Sequence, residues 1–134
     1  MAVCVQLALQ GFQIHISAIT QYEVYSGATV AQLPYWDNLL GKINVLSFDK
    51  EVVKQAVIIN KQLKQKRKQI DLADLFIAAT AIANNLPFAT LNRKHFERID
   101  SLDIVEQGFI GVASICFLHF LKLYIATLVS HNKF

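Results

Sequence analysis

The sequence has few charged residues, few cysteines and no stretch that looks like an interdomain linker. Charged residues fill 17% of the 134 positions and hydrophobic residues 54%, which excludes a disordered chain. Cys4 and Cys116, the only two cysteines, lack metal-ligand spacing, which excludes a disulfide scaffold and a structural zinc module. No basic residue precedes the short apolar N-terminal run, so the sequence does not predict a secretory signal. We therefore expect a cytoplasmic protein in a reducing compartment.

Strand-like and helix-like segments alternate along the chain. Runs rich in β-branched or alternating apolar residues predict strands at 13–19, 43–48 and 88–91 and an edge strand at 103–105. Helices are predicted after Thr20 to residue 27, from Pro34 to Leu40, from Asp49 for about four turns, and from Asp71 to Asn85. The spacing of Thr20 and Glu23 is that of a capping box, which places Glu23 in the first turn. This alternation is typical of an α/β fold in which helices cover both faces of a mostly parallel sheet.

The C-terminal part of the chain is unusually apolar. Residues 108–130 contain His119 and Lys122 as their only basic or strongly polar members, and a helix of that length could cross a bilayer. Three interpretations stay open: a membrane anchor, an apolar helix that covers the sheet, or noncoding sequence read through after a lost stop. We predict a domain at 1–106 followed by an apolar extension at 107–134 that contains a helix.

Acidic and amide side chains follow the predicted strands. Glu23 comes after the first strand, Asp71 and Asp74 open the helix that leads to the third strand, and Asn92 follows that strand. Ligands of parallel sheets bind beyond the carboxyl ends of the strands, and carboxylates three apart share a helix face. The group could bind a hard divalent cation. Helix-terminal carboxylates are also common as caps and dipole partners, and spacing does not decide between the two.

Basic residues are concentrated near the middle of the chain. Five of the 13 lysines and arginines lie between residues 61 and 68. One interpretation is a solvated helix end, and the other is a surface that attracts the RNA backbone without specifying sequence. The RNA-binding candidates are Lys64, Lys66, Arg67, Lys68, Arg93 and Lys94, with Arg98 nearby. His15 and His95 are interpreted as packing or surface histidines.

Three ordered segments, 16–27, 74–81 and 89–99, resemble the VapC-type members of the PIN-domain family, and the resemblance extends over roughly residues 7 to 106. It implies a three-layer α/β/α sandwich on a mostly parallel sheet. It also implies an endoribonuclease dependent on Mg²⁺ or Mn²⁺ that acts as the toxin of a type II toxin–antitoxin system. The expected partners are an RNA substrate, a cognate antitoxin and a second copy of the chain.

The resemblance also assigns roles to individual residues. Glu23 matches the family's acidic residue after its second strand, and Asp74 matches the metal-binding aspartate that opens the Asp-x-x-Ile-Ala-Ala helix. These two are the predicted catalytic residues. Asn92 lies where the family has Asp or Asn and is predicted to join them as a metal ligand. Asp71 occupies a position that the family often fills with Gly.

The N-terminus departs from the family pattern. Family members begin with a hydrophobic strand that runs into Asp-Thr-Asn, whose aspartate is a principal metal ligand, whereas no acidic residue precedes Glu23 here. We therefore predict that the first strand and its aspartate are missing and that nuclease activity is impaired. The alternative is a noncatalytic remnant that binds the antitoxin, or a membrane through residues 108–130.

Overall fold

The computed structural model describes residues 13–90, 93–104 and 115–118. The strands are β1 (Gln13–Ser17), β2 (Asn44–Leu46), β3 (Phe88–Ala89) and β4 (Ile115–Leu118). The helices are α1 (Ala18–Gly27), α2 (Leu33–Leu40), α3 (Lys50–Gln65), α4 (Leu72–Ala83) and α5 (Arg93–Phe96), with one 3₁₀ turn at Val30–Gln32. The predicted α/β alternation is confirmed.

The strands form one parallel sheet in the order β2-β1-β4-β3. In the register of the sheet, His15 of β1 lies opposite Asn44 of β2 and Phe117 of β4. Phe88 of β3 pairs with Phe117 on one side and forms a single parallel bridge with Ile104 on the other. The edge strand predicted at 103–105 is thus reduced to one bridge within the described residues.

The central strand β4 comes from the apolar extension. The prediction of a helix in this extension is wrong at Ile115–Leu118, because these residues form a strand that pairs with β1 and β3. A short apolar run fits a buried strand as well as a buried helix, and the unpaired backbone between β1 and β3 favours the strand because buried amides need partners. The rest of 108–130 lies outside the described residues. The prediction that the family's first strand is missing concerns residues before 13, which also lie outside them. Within the described ranges, no helix is long and apolar enough to cross a membrane.

Helix α1 begins earlier than the sequence predicts. Strand β1 ends at Ser17, whose buried side-chain oxygen accepts a hydrogen bond of 2.9 Å from the amide of Thr20 and caps the helix. The prediction that Thr20 is the cap is therefore wrong, because Ser17 satisfies the orphan amide first. Glu23 consequently lies in the second turn of α1 and not in the first.

Helices α3 and α4 supply most of the core. Asp49 caps α3 by accepting a 3.1 Å bond from the amide of Val52, and α3 buries an apolar stripe at three- and four-residue spacing. Helix α4 packs on α3 and also contacts β1 and α1. Ala78 and Ala79 are fully buried, and their small side chains let α4 approach its neighbours closely. The tight packing fixes the position of the first turn of α4.

Helices α3 and α4 each end in a turn of the same type. The amide of Lys68 donates to the carbonyl of Leu63 at 2.9 Å, and the amide of Leu86 donates to that of Ala81 at 3.0 Å. The residue just before each donor is left-handed, with φ of 55° at Arg67 and 54° at Asn85. Both ends therefore have the Schellman form, which normally favours glycine and tolerates asparagine.

Candidate active site and basic cleft

The sheet topology brings two carboxylates to one edge. Strand β1 runs directly into α1, so Glu23 lies beyond the carboxyl end of β1. Helix α4 leads into the start of β3, so the opposite end of α4, which carries Asp74, lies near the carboxyl edge. Neighbouring strands are ~4.8 Å apart, so the ends of β1 and β3 are about 10 Å apart across β4. The predicted convergence of Glu23 and Asp74 at one edge is consistent with this topology.

Both carboxylates are partly buried. The side chain of Asp74 is 16% exposed, and its Oδ2 lies 3.8 Å from Nδ1 of His95 on α5. Glu23 is half-buried, and within the described residues its carboxylate makes no hydrogen bond or ion pair. The sequence does not predict the proximity of His95 to Asp74, because it depends on how α4 and α5, which are distant in the chain, lie in the fold. His15, by contrast, is a buried histidine as expected.

For the other two predicted metal ligands, Asp71 and Asn92, the structure gives less support. Asp71 is the exposed N-cap residue of α4, and its side chain makes no capping hydrogen bond. Asn92 lies outside the described residues. Across the described ranges, no group of three or more His, Cys, Asp or Glu side chains could hold a metal ion.

Two carboxylates nevertheless fit the chemistry of Mg²⁺. This cation takes oxygen ligands and is commonly held by one or two carboxylates together with water and substrate phosphates. Glu23 and Asp74 supply oxygen ligands of this type. The central strand β4, with the sequence Ile-Cys-Phe-Leu, adds no carboxylate at the position between them.

A basic cleft lies on the other side of α5. The cleft has a volume of about 640 Å³. Its lining among the described residues is Arg67, Lys68, Lys94, Glu97 and Arg98. Three of the six predicted RNA-binding residues, Arg67, Lys68 and Lys94, are therefore brought together. Lys64 and Arg93 do not line the cleft among the described residues.

Two polar contacts hold the walls of this cleft together. The ammonium group of Lys66 pairs with the carboxylate of Asp100. Nη1 of Arg98 donates to the carbonyl oxygen of Gln69 at 3.1 Å. The hydrogen bond and charge of Lys66, with a further contribution from Lys68, lower the pKa of Asp100. The turn after α3 is thereby tied to the segment that follows α5.

Helix α5 separates the two sites. His95 lies beside Asp74, whereas the preceding residue, Lys94, lines the cleft. With 3.6 residues per turn, consecutive side chains project about 100° apart around a helix axis. The carboxylate edge and the basic cleft are therefore neighbours on adjacent sides of one short helix.

The sequence and the fold are both similar to proteins of one family. Residues 3–102 match the PIN domain family. The chain is 38% identical over 85 residues to Ribonuclease VapC1 of Methanocaldococcus jannaschii, which is 63% of this chain and 62% of that protein. It thus spans less than two thirds of the length of that curated relative.

Solved structures give the same result. VapBC from Salmonella typhimurium bound to DNA is similar with a TM-score of 0.71 and 25% identity, over 77% of this chain and 82% of that chain. VapBC2 from Rickettsia felis, bound to a DNA fragment from its promoter, is similar with a TM-score of 0.65 and 29% identity, over 76% of this chain and 80% of that chain. The resemblance to VapC-type proteins and the PIN-like fold are confirmed, and the chain belongs to the PIN-domain family.

Proposed function

We propose that this chain is a VapC-like endoribonuclease toxin of a type II toxin–antitoxin system, with Glu23 and Asp74 as its catalytic carboxylates. The observation that carries the proposal is the largely enclosed Asp74 beside His95, and the order of the elements is consistent with Glu23 at the same edge of the sheet. Ligands of parallel sheets bind at this edge. The curated relatives named as VapC ribonucleases support the same activity.

Mg²⁺ or Mn²⁺ is the proposed cofactor, held by Glu23 and Asp74 with contributions from Asp71 and Asn92. Such a cation, when bound, stabilises charge on a phosphodiester and makes its bound water more acidic. The protein's part is to hold the two carboxylates in place. Asp74 is fixed because it belongs to the first turn of a helix that is buried from Ile77 to Ala81.

We also propose that the activity is impaired. The family's principal aspartate is expected at the end of a central strand, and here the central strand β4 carries none. A site with fewer protein ligands depends more on water and on the substrate phosphate, so its cation affinity falls. Cleavage should then require more metal than a site with a further carboxylate would need.

The test is RNA cleavage by the folded chain across a titration of Mg²⁺ and Mn²⁺. Asp74→Asn keeps the shape of the side chain and removes its charge, and it should lower cleavage by more than the roughly 10–100-fold typical of losing an outer-shell partner of a metal. Asp103→Asn is the matched control, because the residue is exposed and the substitution keeps the backbone carbonyl that accepts from the amide of Phe88. Equal rates for wild type and Asp74→Asn would contradict the catalytic assignment.

A noncatalytic binding protein is the second candidate. It is favoured by the lack of a carboxylate on β4 and of a three-residue acidic or histidine group within the described residues. Its partner would be the cognate antitoxin, since the two similar structures described above are VapBC complexes. A membrane anchor at residues 108–130 is not proposed, because Ile115–Leu118 form an inner strand of the sheet. Capture of antitoxin by a chain that cuts no RNA at any metal concentration would favour this candidate.

A homodimer is the proposed assembly. Four exposed large apolar side chains lie together along one shallow pocket of the surface: Phe48, Val53, Val57 and Leu72. Exposed apolar patches of this kind mark protein interfaces. Light scattering during size-exclusion chromatography should give twice the 15.1 kDa chain mass, and a value of one chain mass would contradict the dimer.

A further inference from the structure

The basic cleft has the composition of a phosphate site. Four cationic side chains face a single carboxylate, that of Glu97, so the cleft is strongly positive. No aromatic side chain is among the described residues that line it. Bases are usually held by aromatic stacking, whereas phosphates are held by cations alone. The lining therefore suits a nucleic-acid backbone better than a base.

We propose that the basic cleft binds a backbone phosphate of the RNA substrate through Arg67, Lys94 and Arg98, at a position separate from the carboxylate edge. The proposal rests on the proposed ribonuclease function. Of the basic residues in the chain, only these three are proposed to bind the phosphate. The proposal leaves out Lys66, whose ammonium group is already paired with Asp100.

The three selected cations are suited to the task for different reasons. The guanidinium of Arg98 is held in place by its bond to the carbonyl of Gln69, and four of its five N–H donors remain for an anion. The side chains of Arg67 and Lys94 make no hydrogen bond or ion pair within the described part of the chain. An oriented donor beside two available cations is the arrangement that favours phosphate over a diffuse counterion.

The position of the cleft links it to the reaction. Lys94 and His95 are consecutive residues of α5, and His95 lies 3.8 Å from Asp74. A strand of RNA whose phosphate lies in the cleft would pass the carboxylate edge on the adjacent side of the helix. The cleft would thus position the chain of the substrate without choosing its sequence.

Binding of this kind has a measurable signature. Each phosphate neutralised on a single strand contributes about 0.7 to the slope of log affinity against log salt concentration. The contribution should be the same for RNA of different base composition, because the cleft reads no base.

The experiment measures binding of a fluorescent uridine homopolymer to the full chain by anisotropy, with EDTA present so that no cleavage occurs, across a salt series. The test variant is Arg67→Gly combined with Lys94→Gln. Glycine is chosen because Arg67 is left-handed and glycine adopts that conformation freely. The matched control is Lys50→Gln combined with Lys54→Gln, which removes the same charge from the other end of the 16-residue α3, about 20 Å away.

The test variant should bind at least about tenfold more weakly at low salt, and its salt slope should fall by about 0.7 for each phosphate that the variant no longer neutralises. An adenosine homopolymer should respond equally. Identical behaviour of the test and control variants would overturn the proposal. A test variant that loses polyglutamate binding while keeping RNA binding would overturn it in favour of an acidic peptide.

The proposed nuclease activity is tested separately by Asp74→Asn. This variant should bind RNA in EDTA at least as tightly as wild type, since it removes a negative charge beside the bound strand, while losing cleavage in metal. Wild-type chain that binds RNA more tightly than the Arg67→Gly and Lys94→Gln variant and cuts nothing would contradict the nuclease and support the cleft. Cleavage that persists in the Arg67→Gly and Lys94→Gln variant, with unchanged affinity, would contradict the cleft alone.

Discussion

The two sides of α5 are assembled in different ways. On one side, His95 meets Asp74, and the position of both depends on strands β1, β3 and β4 lying in one sheet. On the other side, the basic cleft is formed by a turn and a short helix that are tied together by Lys66–Asp100 and Arg98–Gln69. The carboxylate edge is thus a product of long-range pairing, and the cleft is a product of surface contacts.

The helix ends sharpen the contrast. The left-handed residue after α4 is Asn85, which tolerates that conformation, whereas after α3 it is Arg67, which does not. The cationic side chain is therefore held on an unfavourable backbone at the rim of the cleft. Disruption of the sheet should therefore separate His95 from Asp74. Removal of the left-handed strain at Arg67 should leave the fold intact.

The largest expected effect comes from breaking β4. Phe117 is paired with both His15 and Phe88, and Phe117→Pro removes an amide from the centre of the sheet. An unsatisfied buried partner costs about 1–3 kcal/mol, to which steric disruption by the ring is added. Urea denaturation should show a large drop in the free energy of unfolding. Cleavage should disappear with it.

Phe117→Ile is the control for this change, because isoleucine keeps the amide and suits a strand. It should cost less than the proline variant. If the two variants were equally stable, β4 would not hold the sheet together.

An intermediate effect is expected at the two helix ends. Arg67→Gly relieves about 1–2 kcal/mol of left-handed strain, against about 0.5–1 kcal/mol of added chain entropy, so it should stabilise the protein by roughly 0.5–1 kcal/mol. Asn85→Gly should change stability less, since asparagine already accepts this backbone. Urea denaturation of both variants measures the difference. A loss of stability in Arg67→Gly would mean that its side chain supports the fold.

The smallest expected effect is that the sheet and the basic cleft lose stability at different pH values. Burial lowers the pKa of His15 below its usual 6.5, so the unfolded chain binds more protons and the sheet should lose stability as pH falls below that value. The pKa of Asp100 is lowered from 3.8 by Lys66, so the tether of the cleft should persist until the pH falls below 3.8.

Thermal unfolding across pH checks this order. His15→Gln, which cannot be protonated, should flatten the dependence near neutral pH, and Asp100→Asn should flatten only the dependence at low pH. The expectation fails if His15→Gln keeps the wild-type profile between neutral pH and about 5.

The sequence predicts the elements well where the local signal is strong. Pro34 and Gly41 bound α2 as expected, and Asp49 caps α3. The start of α1 was missed because Ser17 and Thr20 are both good caps, and only the end of β1 selects between them. The assignment of Glu23 and Asp74 came from the family resemblance, since helix-terminal carboxylates alone have too many explanations.

The long-range features could not be read from the sequence. The strand character of Ile115–Leu118 depends on a vacant position between β1 and β3, which no local pattern reveals. The pairing of Lys66 with Asp100 and the approach of His95 to Asp74 likewise depend on the turns that join distant segments. A basic surface is one of two interpretations that the sequence leaves open, and the sequence does not predict which cations meet in the cleft.

The position of β4 in the chain sets the order in which the protein can be completed. Residues 13 and 115 pair directly, so one of the two inner strands of the sheet is synthesised after all the other described elements. Until the ribosome has released that segment, β1 and β3 present unpaired edges that can pair with other chains. Pairing over such a sequence distance also slows folding. A nascent molecule is therefore most exposed to aggregation just before β4 emerges, when chaperones would matter most.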